Sequence, residues 1–142
     1  MANISQEFKE SNTSLGIFYP KHYVVAALRD TETLKEAERK VFGTGRSGDK
    51  VIVLSANEVL DFFDGLREET GTKGSVMRGV SRAMGDDVVF ADADIERAKH
   101  GAGLIMIHSE FETEAKEIRD LLLPLEPLSM RWYEASGILS LV

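Results

Sequence analysis

The chain contains no cysteine. That excludes disulfides, thiolate zinc sites and a cysteine nucleophile, and it fits a reducing compartment. Long apolar runs are missing too. No stretch approaches the roughly 20 consecutive apolar residues that span a bilayer, and the opening MANISQEFKE has neither the basic nor the apolar region of a signal peptide. Positive charge is short: 17 Lys and Arg stand against 24 Asp and Glu, a net charge of −7. An acidic surface repels phosphate backbones. These absences predict a cytoplasmic protein with no membrane and no nucleic-acid partner. No phosphate loop ends in Gly-Lys-Ser/Thr, and the calcium-loop spacing of an EF-hand is absent.

What is present is a globular pattern. The length of 142 residues predicts one domain with a real core. The clearest stretch is Asp92 to Phe111, DADIERAKHGAGLIMIHSEF, where a charged helix stops on Gly101 and Gly103 and an apolar strand follows at once. Strands are also predicted over 22–29, 50–54 and 130–135. Helices are predicted over 31–42 behind an Asp30 cap, over 56–69 behind the capping box Ser55–Glu58, over 75–84, and after Ser109, whose spacing to Glu112 repeats that box. Phe111, Ala115, Ile118 and Leu122 form the last helix's apolar stripe. Pro124 and Pro127 stop it. Residues 1–20 read as an N-terminal arm, and residues 21–142 as a single domain with a helical insert at about 56–102. Without the insert the order is β-α-β, β-α-β. That predicts an α+β, ferredoxin-like split βαβ sandwich with a four-stranded antiparallel sheet in the order 4-1-3-2. The apolar tail GILSLV, 137–142, reads as a further strand or a packed tail.

YVVAALRDTETLKEAERKV, residues 23–41, and ERAKHGAGLIMIH, residues 96–108, resemble the bacterial general-stress, or heat-induced stress, protein domain. The resemblance covers half the chain. It implies the ferredoxin-like fold and an association with stress, and it carries over no catalytic residue. The polar middle, GSVMRGVSRAMGDDVVF, departs from the Gly/Ala-rich segment of many members.

Four groups of residues are candidates for function. His22 and His108 fall at the same end of adjacent strands, and Glu110 shares a face with His108, so the three could form an acid–base or metal cluster. His100 lies eight residues before His108, roughly 20–27 Å away if extended, which rules out a three-histidine site. The second group is Thr72, Lys73, Ser75, Arg78 and Arg82, where a glycine-rich turn and a helix start could bind an anion. FGTGRSGDK, 42–50, fails as a phosphate loop and reads as a turn. Third, Asp86, Asp87, Asp92, Asp94 and Glu96 read as carboxylates around a helix start. Fourth, aromatic residues, Trp132 and Tyr133 above all, point to an interface on an edge strand.

The expected function is a non-enzymatic binding or regulatory module, stress-associated and acting as a homodimer. Its partners are a second copy of the chain and a small-molecule or anionic ligand. One alternative is a small cofactor-independent enzyme of the dimeric α+β barrel type, with His108 and Glu110 as acid–base groups. A pocket of a few hundred Å3 reaching His108 would favour it. Another is a structural subunit of a larger assembly. No metal and no cofactor are expected. The dimer follows from the strands, which are apolar on both parities. If helices cover one face, Leu104 and Met106 on the other are left to the helical insert or to a second subunit, and the second subunit is expected, with Trp132 beside them.

Overall fold

The structure, a computed structural model, describes residues 13–14, 17–18, 20–70, 87–134 and 137–142. Two short strands, β1 (Thr13–Ser14) and β2 (Ile17–Phe18), pair with each other. The main sheet is built from β3 (Tyr23–Leu28), β4 (Val51–Leu54), β5 (Gly103–His108), β6 (Ser129–Tyr133) and β7 (Ile138–Ser140), in the order β4-β5-β3-β6-β7. Every pairing in it is antiparallel. The α+β class is as expected. The sheet has five strands rather than four, so its order differs from 4-1-3-2: part of the apolar tail forms β7 outside β6. Trp132 is therefore not on an edge strand.

Four α-helices lie among the described residues: α1 (Thr31–Phe42), α2 (Ala56–Thr70), α3 (Asp87–Ala98) and α4 (Glu112–Leu122). Asp30 caps α1 by accepting the Thr33 N–H at 2.8 Å. Ser55 and Glu58 close a capping box on α2, with bonds of 2.9 and 3.3 Å. Two sequence expectations fail at helix starts. α3 begins at Asp87 rather than after Asp92. Ser109 does not cap α4, because its hydroxyl donates to the Ile107 carbonyl at 3.3 Å and Phe111 occupies the cap position. Phe111 is correspondingly 62% exposed, outside the stripe that Ala115, Ile118 and Leu122 bury.

Strand alternation sorts the core into two halves. Val24, Ala26, Leu28, Ile105 and Ile107 face α1 and α4, meeting Leu34, Ala37, Val41, Ala115, Ile118 and Leu122. Val25, Ala27, Leu104 and Met106 face α2 and α3, meeting Val59, Phe62, Phe63, Ile95 and Ala98. The molecule is thus a three-layer sandwich, and the insert helices cover the face expected to await a second subunit. Leu104, Met106 and Trp132 are buried within one chain, at 1%, 0% and 4% exposure. Burying such a side chain is worth roughly 1.5–3 kcal/mol, and here the chain's own helices supply that burial. The Trp132 indole N–H also donates to the Ser109 carbonyl at 2.7 Å.

The glycines that stop α3 act differently from each other. Gly101 has φ +99°, which side chains rarely adopt. Gly103 is needed for space: a Cβ there would lie 2.6 Å from both the Leu34 side chain and the Leu54 carbonyl oxygen.

Candidate functional site: a charged cleft at the end of the sheet

The register Val51↔Ile107 between β4 and β5 brings Lys50 and His108 to the same end of the sheet. The loop after α1 passes that end. Its backbone folds back on the helix, with the Thr44 N–H on the Val41 carbonyl at 3.1 Å and the Gly45 N–H on the Phe42 carbonyl at 3.0 Å. Gly45 takes φ +90°, and a short 3-10 turn, Gly48–Lys50, leads into β4. α4 runs along the opposite side. Between them lies an open cleft of about 560 Å3 lined by Thr44, Gly45, Arg46, Ser47, Lys50, His108, Glu114, Glu117, Ile118 and Leu121. That volume is within the roughly 300–1,000 Å3 of small-molecule sites.

Polar groups of the loop are held in place locally. Arg46 donates to the Thr44 hydroxyl at 2.7 Å, and that hydroxyl donates to the Val41 carbonyl at 2.6 Å. Ser47 donates to the Asp49 carboxylate, a bond that holds this carboxyl below its ordinary range, helped by the backbone and by Lys50. Beneath the cleft the Tyr23 and His108 rings meet edge to face, 5.3 Å apart at 86°. Burial pushes the Tyr23 hydroxyl up, and the Asp49 charge adds to the rise.

The three residues of the predicted His22/His108/Glu110 cluster have different surroundings. His108 lines the cleft, whereas Glu110 is exposed and outside its lining. His22 has a structural part: at φ 67° its N–H donates to the Tyr133 carbonyl and its own carbonyl accepts from Ser109, both at 2.7 Å. Its Nδ1 is buried without a hydrogen-bond partner. Just past α3, His100 bonds through its ring to the Glu96 carbonyl of that helix, 2.9 Å away. Among the described residues no group of three His, Asp or Glu side chains could hold a metal ion. Thr72, Lys73, Ser75, Arg78 and Arg82 lie outside the described residues, as does the helix predicted over 75–84. The loop rejected as a phosphate loop is the one that lines the cleft. Its signal was two cations and two hydroxyls among glycines.

A second polar constellation is closed to solvent. Asp94 and Arg131 are each 1% exposed and form an ion pair between α3 and β6. Arg131 also donates to the Tyr133 hydroxyl at 2.8 Å and the Ser129 hydroxyl at 3.2 Å. Arg97 reaches the other Asp94 carboxylate oxygen, Oδ1, at 3.5 Å. Burial pushes the Asp94 carboxyl up, while Arg131 and Arg97 pull it down. Arginine does not release its proton in proteins, so the ionised carboxylate is the state that leaves no buried charge unmatched. Asp94 is therefore not the helix-start carboxylate that its acidic neighbourhood predicts. It sits well inside α3 and fastens that helix to the sheet.

Compared with protein-family models, curated proteins and solved structures, the chain has no match.

Proposed function

We propose that the protein is a non-enzymatic binding module that holds a small anionic ligand in the cleft between the 43–50 loop and α4. One observation carries this reading: Arg46, Lys50, Thr44 and Ser47 gather on one wall of a cavity large enough for a small molecule. Charge-assisted bonds to such groups are the strong ones. The resemblance to general-stress proteins adds a stress association, with a ferredoxin-like core enlarged by two helices. A homodimer through the sheet face is not part of the proposal, because α2 and α3 occupy that face. Thermal unfolding in phosphate, sulfate and small carboxylates at matched ionic strength tests the binding, since a ligand of the native state raises apparent stability. The expected result is stabilisation by at least one anion that the double variant Arg46→Gln/Lys50→Gln abolishes. No stabilisation by any of them at millimolar concentration would refute the reading.

One observation favours the enzyme instead: the cleft reaches His108. In that case His108 acts alone as the acid–base group, since Glu110 is off the lining. His108→Asn would keep ligand affinity and abolish turnover of that ligand, whereas a binding module shows no turnover to lose.

A further inference from the structure

The two walls of the cleft carry opposite charge. Arg46 and Lys50 stand on the loop, and Glu114 and Glu117 stand on α4, three residues apart and so on one helical face. Half-buried Leu121 supplies apolar surface beside those carboxylates. Elsewhere on α4, charges pair with the nearest opposite group: Glu112 with Lys116 at 2.9 Å, and Arg119 with Asp120 at 3.0 Å. Across the cleft they do not. Among the described residues no nitrogen of Arg46 or Lys50 comes within 4.0 Å of either Glu114 or Glu117. The bond Arg46 makes is to Thr44. Two unpaired cations therefore face two unpaired carboxylates over a gap wide enough to be a cavity.

We infer that the cleft takes a small bipolar ligand of the amino-acid type. Its acid group sits on Arg46 and Lys50, its ammonium group on Glu114 and Glu117, and its short aliphatic spacer lies over Leu121. This rests on the anion-binding reading of the same cleft and adds the second charge. A simple anion would satisfy the loop and set its own charge against the two carboxylates. A simple amine would meet the opposite conflict. A ligand with both charges meets a partner at each end and is favoured over either half alone.

Isothermal titration of the full chain with glycine, 4-aminobutyrate and 6-aminohexanoate, each beside the carboxylate and the amine of matched length, tests the inference. Phosphate serves as the anion control. One ω-amino acid is expected to bind on the order of tenfold more tightly than its matched carboxylate. Glu114→Gln/Glu117→Gln should erase that advantage while leaving carboxylate affinity unchanged or raised, with circular dichroism confirming that the variant is folded. Carboxylates or phosphate binding as tightly as every ω-amino acid, through Arg46 and Lys50, would overturn the inference and leave the anion-binding reading standing. No binding by any probe would overturn both.

Discussion

Arg131 interrupts the apolar strand SMRWY at a position that shares its parity with Tyr133. Read as a residue, it is an expensive thing to bury, and it is held by Asp94, Tyr133 and Ser129. Removing one member leaves the other charge unmatched in a low-dielectric core, which typically costs about 3–5 kcal/mol. Removing both and filling the space with apolar side chains is often neutral or better. Asp94→Ala is therefore expected to lower the urea-unfolding free energy by about 3–5 kcal/mol, while Asp94→Leu/Arg131→Met recovers most of that loss. Equal losses in the single and double variants would show that the pair is not the fastener. The arginine's inward parity was legible in MRWYEA. Its partner was not, because five acidic residues crowd 86–96 and nothing local marks Asp94 as the one buried beside Ile95 and Ala98.

At the scale of elements, local chemistry was the most legible part. Asp30 stands before a helical stripe, and it does cap α1. Thr33 holds the Asp30 carboxyl below its ordinary range. A carboxyl depressed in the folded state contributes stability above its unfolded pKa and loses it as pH falls through the folded pKa. Asn caps as well as Asp but does not titrate. Wild type should thus exceed Asp30→Asn in stability at neutral pH, and the difference should vanish in acid. A difference that grew on acidification would reverse the assignment. The Gly101–Gly103 stop was equally plain, although its cause was not. Only the approach of Leu34 and Leu54 shows why position 103 excludes a side chain. Gly103→Ala should cost roughly 1–3 kcal/mol as overpacking, with Leu34→Ala in the same chain relieving part of it. Ser109 shows the opposite failure: the capping-box spacing was present, but β5 and Trp132 claim that residue first.

For the whole molecule, the decisive question was what covers the second face of the sheet. The alternation of β3, β4 and β5 already gave both parities apolar residues, so two covers were required. A single sequence cannot say whether the second comes from the chain or from another copy, since amphipathic helices suit either. The answer lies in long-range packing: Val59, Phe62 and Phe63 of α2, with Ile95 and Ala98 of α3, meet Leu104 and Met106 directly. The cleft was illegible for a related reason, because its walls come from segments about 65 residues apart that only the register Val51↔Ile107 and the docking of α4 bring together. The dimer and the sandwich predict different behaviour for the same substitutions. If Leu104 and Met106 met a second subunit, Leu104→Lys and Met106→Lys would halve the sedimenting mass and leave a folded chain. In the sandwich each variant forces a charge into a dry core, costing roughly 3 kcal/mol or more, and the mass of the folded fraction does not change. Sedimentation at micromolar concentration combined with denaturant unfolding separates the two. The expected result is lower stability at constant mass, and a stable variant of half the wild-type mass would restore the open-faced sheet.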